Sequence, residues 1–226
     1  MVLEKAARAI PDRLVSVLVA ESRLPGMADV LGGLPQALPV YGASQAVMDA
    51  IVGFPIHRGV LALGRRPERT LADLIGGLPE RALVVGLMGI ANHDNMGGIF
   101  RNAAAFGADA LMLGADCCDP LYRKAIRVSV GAALTTPFVV CEEMVGALQT
   151  AGFEVLALSP RGEVDLADLK PAGRTAILFG AEGPGLPDGV LARSRTVRIR
   201  MAGGFDSLNV ATTSGIVLHH LAAARA

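Results

Sequence analysis

The stretch TVRIRMAGGFDSLNVATTSG, residues 196–215, combines a strand, a glycine turn and the start of a helix. Residues 196–201 alternate in polarity and include β-branched side chains, which predicts a short strand. The glycine pair 203–204 then permits a sharp turn, and Asp206 or Ser207 is a suitable cap for the apolar helix that follows. Since ligands bind at the carboxyl ends of strands in open α/β sheets, this turn is predicted to form part of a binding site.

Ser207 and Asn209 are the polar side chains that this turn offers, beside the apolar residues Leu208 and Val210. The same local pattern also suits a plainer role, in which Ser207 caps the helix and Asn209 lies exposed in its first turn. Two further glycine-rich strand ends occur earlier in the chain. Together, the three strand ends favour the binding-site interpretation.

Composition limits the classes of protein to consider. The 226 residues, 52% of them hydrophobic, suit one large domain or a medium domain with a smaller one. The 21 basic and 21 acidic residues cancel, which argues against nucleic-acid binding by bulk charge but permits local basic patches. No apolar run has the length of a membrane span, and the charged N-terminus disfavours a signal peptide. The three cysteines lack metal-ligand spacing, so we expect free thiols, no metal and a cytoplasmic location.

Two regions of the chain differ in their patterns. Residues 1–78 contain the strand-like segments LVSVLVA, LPVYGA and GVLALG, and we interpret them as a small α/β unit that is incomplete at its start. Residues 79–226 alternate strands with helices, which predicts a parallel sheet covered by helices on both faces. The strands predicted in this region are 82–88, 108–114, 136–140, 153–158, 175–180 and 196–201. The helices predicted in it are 97–106, 122–130, 142–151 and 188–193.

The first strand of the second region ends in GIANHDNMGGIFR, residues 89–101. Gly97 and Gly98 are expected to open the next helix, whose free N-terminal amides would attract an anion. Arg101 follows one turn later and carries five donors that can bind a phosphate or stabilise an alkoxide. Alternatively, Arg101 lies on a solvated face of the helix and has no binding role. The apolar residues around Arg101 leave little polar helix surface, which disfavours this alternative.

A third glycine-rich strand end reads LFGAEGPGLP, residues 178–187. Gly180, Gly183 and Gly185 allow the backbone to turn sharply and to approach a flat ligand. Glu182 is the charged residue of this turn, and it can accept hydrogen bonds, act as a base or cap the turn. The glycine order differs from the G-x-G-x-x-G pattern of dinucleotide-binding folds, which disfavours a nicotinamide cofactor.

The three strand ends resemble, in order and spacing, motifs 1, 2 and 3 of the SpoU/TrmH RNA 2′-O-ribose methyltransferases of the SPOUT class. The matching segments are NMGGIFR (95–101), LFGAEGPGLP (178–187) and IRMAGGFDSLNVATTSGI (199–216). Residues 1–78 also resemble the ribosomal-protein-like substrate-binding domain of this family, without its first part. The resemblance implies that residues 79–226 form a methyltransferase domain with a C-terminal trefoil knot, and that two subunits pack through their knot regions as a homodimer.

The resemblance also implies a cofactor, a substrate and a set of site residues. The cofactor would be S-adenosylmethionine, held bent by the knotted loops, and the substrate would be RNA, either rRNA or tRNA. By motif match, the cofactor-binding residues are Gly180, Glu182, Gly183, Ile199, Met201 and Leu208. The residues expected to line the reaction centre are Asn95, Arg101, Glu182, Ser207 and Asn209. In relatives, the counterpart of Arg101 reaches toward the partner subunit's cofactor, so activity is expected to need the dimer.

The implied reaction fits these residue types. A ribose 2′-hydroxyl must attack the methyl group in line and lose its proton. Arg101 stays protonated, so we assign it to the RNA phosphate and the developing alkoxide. The proton can pass to Glu182, to the RNA phosphate or to water, and these alternatives stay open. Asn95 and Asn209 are expected to orient groups, and Ser207 to fix the loop or the ribose.

Two other functions remain compatible with the sequence. One is a knotted methyltransferase that acts on an RNA base nitrogen. The other is a non-catalytic RNA-binding module with the same fold. Methylation that blocks alkaline cleavage would distinguish the ribose enzyme from the base enzyme, and failure to bind S-adenosylmethionine would favour the module.

Overall fold

The computed structural model describes the chain in three stretches, residues 2–203, 205 and 207–224. The chain forms two compact units, Met1–Glu68 and Arg69–Ala226. The sequence suggested a division after residue 78, whereas the structural division falls earlier. The reason is Leu74, which is buried in a hydrophobic cluster of the second unit.

The first unit is built on a three-stranded sheet. Its elements are α1 (Val2–Ala9), β1 (Leu14–Ala20), α2 (Ala28–Gly32), β2 (Val40–Ala43), α3 (Gln45–Val52) and β3 (Val60–Gly64), with short 3₁₀ helices at Pro11–Arg13 and Glu21–Met27. β1 lies in the centre, parallel to β2 and antiparallel to β3. Val17 and Val19 of β1 are fully buried and pack with Leu3 of α1. The predicted strands of this unit are confirmed.

The second unit contains a seven-stranded sheet in the order β6-β5-β4-β9-β7-β10-β8, and every pair of neighbours is parallel. Its elements are α4 (Leu71–Gly76), β4 (Ala82–Leu87), α5 (His93–Ala105), β5 (Ala110–Leu113), α6 (Arg123–Val128), α7 (Ala132–Thr135), β6 (Phe138–Val140), α8 (Met144–Thr150), β7 (Glu154–Leu158), β8 (Val164–Asp165), a 3₁₀ helix (Leu166–Asp168), β9 (Arg174–Phe179), α9 (Asp188–Leu191), β10 (Arg195–Arg198) and α10 (Val210–Ala223). The predicted parallel α/β sheet is confirmed. Within the described residues, no helix has both the length and the apolarity needed to cross a membrane.

Helices cover both faces of this sheet, as the alternation along β4 shows. Leu83, Val85 and Leu87 belong to one hydrophobic cluster, which includes residues of α5 and α10. Ala82 and Val84 belong to a second cluster, which includes residues of α4 and α8. Because neighbouring side chains of a strand point to opposite faces, these two clusters lie on the two sides of the sheet. Each fully buried leucine or valine contributes about 1.5–3 kcal/mol to folding.

The predicted helix over residues 122–130 is wrong in its extent. α6 ends at Val128, and α7 begins only at Ala132. Between them Val130 (φ 53°) and Gly131 (φ 83°) adopt left-handed backbone conformations, which interrupt a right-handed helix. A left-handed conformation is uncommon for a β-branched residue such as Val130, so the residue type gave no sign of this break.

The predicted strand over residues 196–201 is also too long, because β10 ends at Arg198. Within β10, residues Arg195–Val197 pair with β7, and Val197 and Arg198 pair with β8. The two-residue strand β8 was not predicted, since a segment this short has no periodicity of its own. The described residues between Arg198 and Asn209 therefore form no strand before α10 begins.

Candidate active site

Three side chains from distant parts of the chain form a closed hydrogen-bonded triangle. The amide of Asn95 donates to Oε1 of Glu182 at 2.7 Å, and the amide of Asn209 donates to the same oxygen at 3.2 Å. The amide of Asn209 also donates to Oδ1 of Asn95 at 2.8 Å. Asn95, Glu182 and Asn209 follow β4, β9 and β10, whose carboxyl ends share one edge of the parallel sheet. The structure thus brings together the three glycine-rich strand ends that the sequence singled out.

Asn95 is placed by the first turn of α5. The side chain of Asn92 caps this helix, and its Oδ1 accepts from the backbone amides of Asp94 at 2.7 Å and Asn95 at 3.4 Å. Asn95 is only 7% exposed, so its amide group needs internal partners, which Glu182 and Asn209 provide. The triangle therefore satisfies a buried polar group and fixes its orientation.

The prediction that Gly97 and Gly98 open this helix is wrong, because α5 begins at His93. A Cβ on Gly97 would lie 2.7 Å from the Cβ of Val128, and one on Gly98 would lie 2.8 Å from the Cβ of Ala211. The glycines therefore allow α6 and α10 to pack closely against α5. Because these glycines lie in the second turn of α5, their amides are not the free N-terminal amides that the predicted anion site requires.

Glu182 lies in a compact turn after β9. A Cβ on Gly180 would lie only 2.2 Å from the carbonyl carbon of Gly185, so the backbone can close here only with glycine. Gly183 (φ 90°) and Gly185 adopt left-handed conformations, and the amide of Gly185 donates to the carbonyl of Ala181 at 3.0 Å. The sharp turn predicted at these glycines is confirmed. Glu182 lies between Ala181 and Gly185, which form an isolated backbone bridge.

Asn209, rather than Ser207, is the cap of the last helix. Its Oδ1 accepts from the backbone amides of Ala211 at 3.0 Å and Thr212 at 3.2 Å. The oxygen of this side chain thus holds α10 in place, while its nitrogen donates to the triangle. The predicted cap at Ser207 is wrong, and the alternative cap Asp206 lies outside the described residues, as does Gly204.

The triangle leaves one carboxylate oxygen of Glu182 without a hydrogen bond. Both amide donors bind Oε1, and within the described part of the chain Oε2 has no hydrogen-bond partner. Glu182 is itself exposed. An oriented and accessible carboxylate oxygen can accept a hydrogen bond from a ligand hydroxyl or take its proton.

Arg101 lies on a different face of α5 from Asn95 of the triangle. It follows Asn95 by six residues on α5, which places it about 120° around the helix axis. Arg101 is exposed, and its side chain has no ion pair or hydrogen bond to any other described residue. It follows Gly97 by one turn, and Gly97 faces α6, so Arg101 lies on the α6 side of α5.

The residues predicted to hold the cofactor lie around this edge with differing exposure. Gly180, Ile199 and Met201 are half-buried, whereas Gly183 and Leu208 are exposed. A groove of about 680 Å³ runs between α10 and the segment after β8. Of the predicted cofactor residues, only Ile199 lines it, so this groove is distinct from the edge that holds the triangle.

The sequence interpretation missed Asn102, a second polar residue that joins α5 to α10. Its amide donates to the carbonyl of Ala211 at 2.7 Å and to Oγ of Ser214 at 2.9 Å. Asn102 follows Asn95 by seven residues, or about two helical turns, and so lies on the same face of α5. The seven-residue spacing of two asparagines in a largely apolar segment was the sequence pattern that could have indicated this contact.

The sequence interpretation also missed Asp165, a buried acidic residue on β8. Its carboxylate binds the guanidinium groups of both Arg198 and Arg200. These hydrogen bonds, from Arg200 foremost and then from Arg198, hold the pKa of Asp165 well below its usual range. Three cysteines, Cys117, Cys118 and Cys141, are half-buried free thiols whose pKa is raised by burial. Among the described residues, no group of three or more His, Cys, Asp or Glu side chains is arranged to hold a metal.

Comparison with known proteins agrees with this geometry. The sequence profile of the SpoU rRNA Methylase family matches residues 82–219. An uncharacterized tRNA/rRNA methyltransferase of Mycobacterium bovis is 42% identical over 208 residues, which cover 88% of this chain and 70% of the relative. The 23S rRNA (guanosine-2′-O-)-methyltransferase RlmB of Escherichia coli is 31% identical over 193 residues, which cover 81% of this chain and 78% of the relative.

Solved structures show the same fold. A crystal structure of an RNA 2′-O ribose methyltransferase has a TM-score of 0.82 and 26% identity, and the match covers 100% of this chain and 87% of that one. The SpoU methyltransferase AviRb of Streptomyces viridochromogenes has a TM-score of 0.85 at 22% identity, over 100% of this chain and 88% of that one. With its family profile, its relatives and the strand-end geometry in agreement, the chain belongs to the SpoU rRNA Methylase family and is an RNA methyltransferase.

Proposed function

We propose that this RNA methyltransferase transfers the methyl group of S-adenosylmethionine to a ribose 2′-hydroxyl in structured RNA. The observation that carries the proposal is the triangle of Asn95, Glu182 and Asn209, which is assembled from three separate strand ends. The curated relative from Escherichia coli is named as a guanosine 2′-O-methyltransferase, and the solved structure at 26% identity is named as an RNA 2′-O ribose methyltransferase. Both names support ribose, rather than a base nitrogen, as the acceptor.

The residues near the triangle fit a bent sulfonium cofactor. The close backbone approach at Gly180 keeps this turn compact, and the exposed turn at Gly183 leaves main-chain groups that can bind an adenine edge. Ile199, Met201 and Leu208 supply apolar surface for its ring. When bound, S-adenosylmethionine supplies an electrophilic methyl group on a positively charged sulfur. The carboxylate of Glu182 offers favourable charge to such a group.

In the proposed mechanism, Glu182 aligns the ribose. Its Oε1 is held by the amides of Asn95 and Asn209, so Oε2 faces the acceptor in one orientation. That oxygen accepts a hydrogen bond from the 2′-hydroxyl and is one of three candidates for its proton, with the RNA phosphate and water as the others. Arg101 binds the RNA phosphate and stabilises the developing alkoxide. Ser207, in the exposed segment before α10, contacts the ribose.

We further propose that the active form is a homodimer in which Arg101 acts on the site of the partner subunit. Arg101 is exposed and lies about 120° around α5 from Asn95, so it does not reach its own triangle directly. A second subunit packed against α5 and α10 would bring an arginine to each site. The exposed Ile216 of α10 supplies apolar surface for such packing.

A C-terminal trefoil knot is proposed for the same region. β10 is separated from β9 by β7 in the sheet, yet α10 packs on α5 through Asn102 and Gly98. The chain after β10 must therefore return past the loop after β9, where Asn209 meets Glu182. This return path supports threading through a loop, which is rare among protein folds.

The first unit is proposed to bind the RNA substrate, as the ribosomal-protein-like domain does in the family that the sequence resembles. The RNA is rRNA or tRNA, in agreement with the names of the curated relatives. We propose a cytoplasmic location for this activity, since the relative from Escherichia coli is named as a 23S rRNA methyltransferase.

The proposed function is tested by incubating the protein with RNA and S-adenosylmethionine that carries a radioactive methyl group. Transfer of label into RNA, followed by label that stays in alkali-resistant dinucleotides, is the expected result, since a 2′-O-methyl group blocks alkaline cleavage. Label recovered in single nucleotides would instead identify a base methyltransferase. S-adenosylmethionine binding without any transfer would favour the non-catalytic module.

A further inference from the structure

Asp165 binds two arginines, one at the end of β10 and one just beyond it. Oδ1 of Asp165 accepts from Nε of Arg198 at 2.7 Å, and Oδ2 accepts from Nε of Arg200 at 2.8 Å and from Nη2 of Arg200. Arg198 also donates to the carbonyl of Gly162 at 3.1 Å. Asp165 is 8% exposed, whereas the side chain of Arg200 is 77% exposed. A buried carboxylate thus fixes an arginine that would otherwise move freely in solvent.

This contact lies where β10 ends. Asp165 of β8 pairs in register with Arg198, the last residue of β10. Arg200 lies beyond the strand. Its hydrogen bond to Asp165 therefore restrains the backbone past Arg198, where the pairing of β10 with β8 ends. Ile199, between the two arginines, packs against the main hydrophobic cluster. The backbone at residues 198–200 is therefore held on one side by an ion pair and on the other by the core.

The segment from Ile199 to Leu208 is consequently fixed at both ends. At its start, Asp165 binds Arg200, and at its end, Asn209 binds Asn95 and Glu182. Between these anchors the described residues form no helix or strand. Small changes in backbone direction at Ile199 would alter the position of every group in this segment.

We infer that Asp165 is a positioning residue for S-adenosylmethionine: through Arg198 and Arg200 it sets the backbone of Ile199 and Met201 against which the cofactor binds. The inference rests on the proposed function, because it requires a cofactor at this segment. Asp165 lies in the groove beyond Ile199 and is not proposed to touch the cofactor itself. Its effect should therefore appear in cofactor affinity rather than in the chemical step.

The test compares four folded proteins by calorimetry with S-adenosylmethionine and by steady-state kinetics. Asp165→Asn keeps the shape of the side chain but removes its charge. Arg200→Gln removes only the exposed arginine and leaves the Arg198 pair in place. Asp168→Asn is the matched control, because Asp168 is an exposed acid of the same groove whose charge acts on Arg200 without a hydrogen bond to it. Wild type is the fourth protein, and the double variant of Asp165→Asn and Arg200→Gln is measured beside these four.

Asp165→Asn is expected to raise the Kd and the KM for S-adenosylmethionine about tenfold, with kcat within about twofold and the Kd for RNA unchanged. Arg200→Gln should raise the same Kd about threefold, and the double variant should be no weaker than Asp165→Asn, because the two residues act through one contact. Asp168→Asn should match wild type.

An unchanged cofactor Kd in folded Asp165→Asn would overturn the inference while leaving the proposed function intact. A loss confined to kcat would also overturn it. If Asp165→Asn does not fold, the Kd of Arg200→Gln decides the question alone, and an unchanged value overturns the inference. Failure of wild type to bind S-adenosylmethionine would instead overturn the proposed cofactor site and the inference together.

Discussion

The side-chain amide of Asn209 donates to the side-chain oxygen of Asn95 at 2.8 Å, although 114 positions separate the two residues in the chain. Each asparagine is also part of a helix start, because Asn95 lies in the first turn of α5 and Asn209 caps α10. One contact therefore couples the position of two helices to the orientation of Glu182. The side chains of Asn95 and Asn209 therefore contribute both to the geometry of the site and to the starts of the two helices.

Asn209→Asp should separate these two roles. Aspartate keeps the oxygen that caps α10, so the free energy of unfolding should change by less than about 1 kcal/mol from the cap itself. It loses the amide that donates to Glu182 and places two carboxylates together, so kcat should fall by about a hundredfold or more. Urea unfolding and methyl-transfer kinetics measure the two effects. Asn209→Ala, which also loses the cap, should lose both stability and activity, and wild-type kcat in Asn209→Asp would contradict the assignment.

Glu182→Gln tests whether the carboxylate takes the proton. Removal of a general base typically lowers kcat by about 10²–10⁴-fold, and glutamine retains the shape of the side chain. If Glu182 is the base, the variant should also lose the acidic limb of the pH–kcat profile. A lower kcat with that limb retained would assign the proton to the RNA phosphate or to water and leave Glu182 with an orienting role.

In the proposed homodimer, each Arg101 acts on the site of the partner subunit, so Arg101→Ala should abolish activity. Mixed dimers of Arg101→Ala and Glu182→Ala subunits then contain one site with both groups intact, if Arg101 acts across the interface. Co-refolding the two inactive variants should restore a measurable fraction of wild-type activity. Activity no higher than that of the separate variants would show that Arg101 acts within its own subunit or not at all.

Gly97→Ala should destabilise the second unit by about 1–3 kcal/mol, because overpacking forces neighbouring groups to move. The added Cβ would lie 2.7 Å from the Cβ of Val128 and 2.8 Å from the carbonyl oxygen of Ala125. Gly189→Ala is the control, since its Cβ would meet no atom within 4 Å in helix α9. That variant should be neutral or more stable by up to about 1 kcal/mol, as alanine favours a helix. Equal stability of the two variants in urea would contradict the close packing of α5 on α6.

The ion pairs of Asp165 predict a specific dependence of stability on pH. Because they lower the pKa of this carboxyl in the folded protein, their contribution is complete above the ordinary value of 3.8 and is lost as the pH falls toward the lower folded value. Between about pH 7 and pH 3, wild type should therefore lose more unfolding free energy than Asp165→Asn does. Urea unfolding at several pH values measures this difference, and parallel losses in both proteins would contradict it.

The sequence predicted the parallel sheet and the convergence of the three strand ends because both follow from local patterns. Apolar runs and glycine turns define where strands end, and parallel strands share one edge. Helix caps were harder to predict. Asp206, Ser207 and Asn209 are all good caps by residue type, and only the contact with Glu182 and Asn95 selects Asn209.

The features that sequence patterns did not predict depend on distant neighbours. Gly97 and Gly98 suit a turn as well as a helix interior, and their role is decided by α6 and α10, which approach from elsewhere in the chain. Likewise, Asp165 gains its role from Arg198 and Arg200, which lie more than thirty residues later. Such long-range pairs leave no periodic signal in the sequence.

Mass-spectrometric mapping of 2′-O-methylated nucleotides tests the central claim most directly. RNA would be compared from cells that express the wild-type protein and from cells that express Asn209→Asp at the same level. We predict that at least one 2′-O-methyl group in rRNA or tRNA is present with wild type and absent with the variant. Identical 2′-O-methylation in the two RNA samples, or loss of a base methyl group alone, would contradict the account.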